Sequence, residues 1–332
     1  MKLLVLGGTH HVGRAVVETA LARGDDVTTL NRGESRPPEP GVTALTADRT
    51  DPAALRAALG DRTWDAVIDT WSGAPADVLG AATLLKDRAG HYGYVSSRSV
   101  YEWPIPAGMD ESAPVVGGDP ADTSREDYAA AKRGGELAAL AVFGDRAVLA
   151  RAGLILGPYE LVGRMPWWLG RIERGGDVLA PGPPERPLQY IDCRDLAAWM
   201  LDMAARRQGG VFNTVSAPGH ATMASLLDAA LKVTGSDARF VWVSPEVIEA
   251  AGIQPWTELP VWVPPGGEYD GLHDGNVSAA LAAGLTCRPV EETIADTWAW
   301  IQAEGYPEGD IARLHGLDPE KERDVLNRLA QG

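Results

Sequence analysis

The apolar run Lys2-Leu3-Leu4-Val5-Leu6 stops at Gly7-Gly8 and gives way, after Thr9-His10-His11-Val12-Gly13, to an alanine-rich helical pattern from Arg14 to Arg23. A short apolar run bounded by glycine reads as a strand buried on both faces. Strand, glycine turn and helix in that order form the unit that opens a dinucleotide-binding sheet. Gly7 permits the tight turn, and Gly13 permits close helix–strand packing. Backbone N–H groups along Thr9, His10, His11 and Val12, with the positive end of the helix dipole, suit a pyrophosphate. His10 stands where a middle glycine is usual.

The alternation continues. Strand patterns run over 26–30, 42–45, 65–69 and 92–97, with helical patterns over 52–59 and 75–88 between them. Such a chain predicts an α/β fold, a doubly wound parallel sheet whose ligands bind at the carboxyl ends of the strands. Thr9, Arg32, Asp48, Thr70, Trp71 and Ser97 fall at those ends. The second strand closes on Asn31-Arg32-Gly33, where an acidic residue would accept hydrogen bonds from the adenosine ribose. Asn31 is neutral, and Arg32 offers a planar, permanently charged fork to a 2′-phosphate. NADP(H) is therefore expected over NAD(H).

Tyr128 and Lys132 are four residues apart, about one helical turn, and project from one face. A free phenol has a pKa of about 10, and a cation beside it would bring that value towards neutrality. The pair is a candidate proton donor or acceptor.

Taken together, Leu4-Val5-Leu6-Gly7-Gly8-Thr9 with Gly13, Val95-Ser96-Ser97-Arg98-Ser99-Val100-Tyr101, and Tyr128 with Lys132 resemble the extended short-chain dehydrogenase/reductase family, NAD-dependent epimerase/dehydratase-like. Arg151-Ala152-Gly153, Gly157-Pro158 and Tyr190-Ile191-Asp192-Cys193-Arg194-Asp195 extend the resemblance over roughly residues 1–305. The glycine loop looks more like an atypical branch that includes plastid RNA-binding proteins. The resemblance implies Tyr128 as general acid/base, Lys132 as its pKa-lowering partner and a ribose ligand, and Ser97 as the hydroxyl that holds the substrate oxygen, with Ser96 as the neighbouring alternative. Hexose dehydratases of this family place acids just after that hydroxyl; here Arg98 and Ser99 follow Ser97. Net carbonyl reduction with NADPH is the first expectation. Epimerisation of a sugar or nucleotide sugar is the alternative, and a non-catalytic redox-sensing or RNA-binding relative the second.

The family topology implies a Rossmann-type domain from 1–157 and 189–215, a smaller discontinuous substrate-binding region from 158–188 and 216–305, and a helical tail over 306–332. Trp71, Trp103, Trp167 and Arg186 are candidate substrate contacts, since indole faces suit a flat or apolar ligand. A formal net charge of −16 disfavours nucleic acid and anionic membranes, which want basic surfaces. Two cysteines, Cys193 and Cys287, in no metal-ligand spacing suggest free thiols and a cytoplasmic enzyme with a small-molecule substrate and no metal. The tail helix could pack at a subunit contact, which leaves a homodimer open.

Overall fold

The computed structural model describes residues 1–308 and 315–331; positions 309–314 and 332 of the expected tail lie outside the described residues. The first half alternates as its sequence implies: β1 (Lys2–Leu6), α1 (His11–Ala22), β2 (Asp26–Asn31), β3 (Thr43–Thr46), α2 (Pro52–Leu59), β4 (Trp64–Asp69), α3 (Pro75–Leu85), β5 (Ala89–Ser97), α4 (Tyr128–Phe143) and β6 (Ala147–Ala152). Helix starts follow local chemistry. The Asp51 side chain accepts from the N–H groups of Ala53 and Ala54, with Pro52 in the first turn. Asp127 accepts from the Ala130 N–H and so fixes where the helix bearing Tyr128 begins.

The remaining elements are β7 (Leu154–Leu156), α5 (Arg164–Glu173), β8 (Asp177–Pro181), β9 (Pro187–Leu188), β10 (Tyr190–Asp192), α6 (Cys193–Arg206), β11 (Gly210–Thr214), β12 (Ala221–Thr222), α7 (Met223–Thr234), β13 (Arg239–Val243), α8 (Pro245–Ala250), α9 (Ser278–Ala282), α10 (Val290–Glu304) and α11 (Pro319–Gln331). Seven strands form one parallel sheet in the order β11-β6-β5-β4-β1-β2-β3. The fold is Rossmann-like, as expected. Sequence position reverses on the two sides of β1, which opens a crevice at the carboxyl ends of β1 and β4.

Side chains alternate across the pleat. Leu3 and Val5 of β1 pack with Val16, Ile191 and Met200 on the α1/α6 face. Leu4 and Leu6 pack with Val78, Tyr92 and Phe143 on the α2/α3/α4 face. A third cluster gathers Trp168, Leu226, Trp262 and Ile294, and draws in Leu154 and Leu156 from β7 and Leu317 and Val325 from the tail. The tail is pinned there by charge as well: Arg171 Nε donates to Glu322 at 2.6 Å, and both side chains are buried. Among the described residues no helix is long and apolar enough to cross a membrane.

Candidate active site and cofactor cleft

A cavity of ≈ 380 Å³ lies between α5 and Tyr306, and a larger one of ≈ 620 Å³ opens at the carboxyl edge of the sheet. The larger is the one the chain's motifs line. Gly7, Thr9 and His10 bring the β1–α1 turn to its wall. Gly7 has φ +122°, and a Cβ there would lie 2.5 Å from Thr70 Oγ1. That hydroxyl donates to the Leu6 carbonyl at 3.1 Å, so the two strand ends close on each other only because position 7 is bare. A Cβ at Gly13 would lie 2.7 Å from the Gly8 nitrogen. The turn can therefore take a phosphate against its backbone, which fits a dinucleotide.

The neighbouring residues divide by role. Val12 is buried in the α1 core, which leaves only its backbone to a ligand. His10 precedes the first turn of α1 without a side-chain cap, and burial together with Arg36 and Arg14 lowers its pKa. Burial pushes the His11 imidazole down to about 4, with Arg164 adding to the fall and Asp192 opposing it. Both imidazoles are neutral at pH 7.

At the end of β2, Asn31 is spent internally. Its amide donates to the Gly7 carbonyl at 3.2 Å and accepts from the Gly33 N–H at 2.8 Å. Its neutrality matters less than its tie between the two loops. Arg32 lines the cavity with 64% of its side chain exposed, and its one ion pair is an exposed contact of 3.3 Å to Glu34. Asp48 also lines the cavity, and hydrogen bonds from the Thr50 N–H and hydroxyl hold its carboxyl below the ordinary range.

Sequence reasoning missed Arg49. It is buried, pairs with both oxygens of Asp69 at 2.6 and 2.9 Å, and lies 4.6 Å over the Trp71 ring. Asp69 also accepts from Tyr92 and from the Trp71 N–H. Desolvation alone would raise the Asp69 pKa, but Arg49 and these donors bring it below the ordinary value. Trp71 Nε1 donates to the Ala74 carbonyl at 3.1 Å, so the indole stands fixed as a cavity wall. The only prior signal for Arg49 was its position beside Asp48 at a strand end.

Ser97, Tyr128 and Lys132 come together where β5 ends and α4 begins. Ser97 Oγ donates to Ser99 Oγ at 3.1 Å, and its hydroxyl acts on the nearby Tyr128 phenol to lower its pKa. The neighbouring Ser96 is buried, and its hydroxyl is engaged in donating to Glu136 at 2.7 Å. Glu136 is in turn held by Arg151 at 2.9 and 3.0 Å, which braces the strand end under Ser97. The Tyr128 ring is 48% exposed, yet desolvation raises its pKa above the ordinary phenol value, opposed by Ser97 and by the charge of Arg164. Lys132 Nζ donates to the carbonyls of Trp71 at 2.6 Å and Val95 at 2.8 Å. Burial lowers its pKa to about 8, against the pull of Asp69. The ammonium thus ties the cofactor wall to the strand that carries Ser97. The charge of Arg164 also acts on Tyr128 and lowers its pKa.

The four substrate candidates separate. Trp71 faces the large cavity. Trp103 is 48% exposed beside the Ser97 loop; it donates to Glu268 at 3.0 Å and meets Tyr269 edge-on at 5.7 Å. Trp167 lines the separate ≈ 380 Å³ cavity with Pro166, Tyr306 and Pro307. Arg186 is buried, donating to the Pro264 carbonyl at 3.3 Å with Asp270 at 3.6 Å. Arg98, beside Ser97, is also buried and binds Gln189 and the carbonyls of Gly271 and Leu272, which anchors the 271–275 segment near the site. Among the described residues no group of three or more His, Cys, Asp or Glu side chains is placed to hold a metal.

Comparison with known proteins agrees with this geometry. No curated protein matches the chain. Solved structures with the same fold include the Bordetella bronchiseptica enzyme WbmH in complex with NAD+ (18% identity, 92% of this chain and 99% of that one, TM-score 0.69). They also include WbmG of the same organism in complex with NAD and UDP (17% identity, 92% and 96%, TM-score 0.65). A third is UDP-glucose 4-epimerase with UDP-glucose from Thermotoga maritima (16% identity, 91% and 99%, TM-score 0.65). The sequence profile of the NAD dependent epimerase/dehydratase family matches residues 3–214, and the chain belongs to that family.

Proposed function

We propose that the chain is an epimerase-type enzyme that acts on a carbinol carbon of a sugar or nucleotide sugar, with Tyr128 as acid/base. The observation that carries this reading is the junction at Lys132. One buried ammonium joins Trp71, a wall of the dinucleotide cleft, to Val95, two residues before Ser97. The proton-transfer groups are thereby held in register with the cofactor site. Family membership and the activities named for solved relatives support epimerisation over the net reduction that the sequence put first.

The roles follow from the geometry. The Ser97 hydroxyl lies near enough to Tyr128 to act on its pKa, so the two can hold one substrate oxygen between them. The phenol, whose pKa is raised, is protonated at neutral pH in the free protein, the form that donates when a carbonyl is reduced; the carbinol-oxidation half needs its phenolate to take the hydroxyl proton. Lys132, whose buried amine titrates near 8, lies beside the cleft to orient a ribose. The nicotinamide, when bound, would accept the hydride from the carbinol carbon and return it. Gly7, Thr9, His10 and the backbone of Val12 would hold its pyrophosphate, and Trp71 and Asp48 its adenosine half.

A second reading, NADPH-dependent carbonyl reduction, is favoured by one feature: the exposed Arg32 at the cavity edge suits a 2′-phosphate, and NADPH is commonly consumed. Neither reading needs a nucleic-acid or membrane partner. Incubation of the protein with nucleotide sugars and cofactor deuterated at nicotinamide C4 separates them. Inversion at one carbon with no net cofactor oxidation supports epimerisation. Stoichiometric oxidation with deuterium in the product overturns it in favour of reduction.

A further inference from the structure

Arg164 opens α5, and none of its guanidinium N–H groups has a hydrogen-bond acceptor among the described residues. Its Nε is fully buried and unpartnered. Its nearest carboxylate, Glu160, stands at 3.8 Å, beyond hydrogen-bond reach, with both Glu160 oxygens already accepting from the backbone N–H groups of Arg164 and Met165 at 3.0 and 3.2 Å. Arg49, Arg151 and Arg171 each hydrogen-bond a carboxylate through the guanidinium, that of Asp69, Glu136 and Glu322 in turn. Leaving a guanidinium so poorly paired costs stability, and the surroundings look built to keep it there.

Two non-glycine residues in left-handed backbone frame it. Tyr159 has φ +70° just before Glu160, and Trp256 has φ +65° and places its ring 5.5 Å beneath the guanidinium. Such conformations are unfavourable for residues with a Cβ and persist where the surroundings impose them. Tyr159 is further pinned by its hydroxyl to Glu18 at 2.9 Å and by Arg14 over its ring at 3.6 Å. The charge of Arg164 acts on the Tyr128 phenol on one side and on His11 of the glycine turn on the other. The side chain is 21% exposed, so its free donors are reachable from solvent.

We infer that Arg164 is the substrate's anion anchor: its free guanidinium donors, over Trp256 and against Glu160, bind an oxyanion of the substrate close to Tyr128. This rests on the proposed reaction at Tyr128. An oxyanion of this kind comes either from a phosphate, as in a nucleoside diphosphate sugar, or from a carboxylate, as in a sugar acid. The planar fork of arginine suits both. Glu160 then serves as a stand-in that holds the side chain in place while the site is empty, without competing for its hydrogen bonds.

The test is binding, read by titration calorimetry on cofactor-saturated protein, so that it does not depend on turnover. Uridine diphosphate is compared with uridine, and glucuronate with glucose. Wild type should bind at least one anion more tightly than its neutral counterpart, and which one does so identifies phosphate or carboxylate as the source. Arg164→Ala should weaken that anion about 10–100-fold and leave the neutral compound unchanged. Arg164→Lys, which keeps charge but loses the fork and preserves packing better, should fall in between. Equal affinity for anion and neutral compound in wild type overturns the proposal, as does an Arg164→Ala protein, folded by circular dichroism, that binds the anion like wild type. Should epimerisation fail in the labelling experiment while this anion preference holds, the reaction is wrong and the anchor stands.

Discussion

Replacing Arg49 by Met should destabilise the protein by about 3–5 kcal/mol, the cost of stranding a buried charge. Asp69 is 0% exposed and keeps its ionised form chiefly through the two Arg49 contacts of 2.6 and 2.9 Å. The Tyr92 hydroxyl and Trp71 N–H remain as donors in the variant, which sets the lower end of that range. The pH dependence makes the test sharp. In wild type the Asp69 pKa is depressed, so its contribution is present above the ordinary carboxylate value and is lost only as pH falls below it. Without Arg49, burial dominates and raises that pKa, so the variant's deficit should shrink as pH falls from 8 towards 5 and Asp69 takes up a proton. Arg49→Met with Asp69→Asn removes both charges and should recover most of the loss. Urea unfolding at pH 8 and pH 5 measures all three proteins. A loss below 1 kcal/mol, or one equal at both pH values, would refute this account of the cleft wall.

Arg32→Ala should weaken NADPH by about 1.5–3 kcal/mol and NADH little, since only the former carries a phosphate for the fork; equal affinities in wild type, read by fluorescence titration, would end the NADP preference. Gly7→Ala should abolish tight cofactor binding by either dinucleotide, because φ +122° and a Cβ 2.5 Å from Thr70 Oγ1 force the turn to move; a Gly7→Ala protein that binds normally would remove the turn from the site. Glu160 is raised by burial to about 7 from 4.5, so it should cost the folded state up to about 3 kcal/mol as pH rises through that window. Glu160→Gln should therefore show a flatter fall in unfolding free energy between pH 5 and 8 than wild type, and parallel profiles would contradict the assignment.

The glycine turn and the strand–helix alternation are local devices, and each was readable from its neighbours in sequence. The same locality holds for the caps, where Asp127 accepts from the Ala130 N–H and Asp192 from the Arg194 N–H. What escaped depends on distance along the chain. Arg49 finds Asp69 across two strands, and Arg164 finds Trp256 through a loop some ninety residues away. No periodicity carries such pairings. Lys132 shows a subtler limit: helical spacing correctly put it on the face of Tyr128, but the carbonyls of Trp71 and Val95 claimed its ammonium. Trp167 shows the converse, since tryptophan-rich helices signal packing as readily as binding, and here the ring belongs to a different cavity.

The central claim is that Tyr128 moves the proton. Tyr128→Phe keeps the ring and removes only the hydroxyl assigned to the proton transfer. With a nucleotide sugar that the wild type inverts, or a carbonyl it reduces, turnover of the variant should fall by about 10²–10⁴-fold while dinucleotide affinity stays within error of wild type. A folded Tyr128→Phe protein that turns over at the wild-type rate would contradict the account outright.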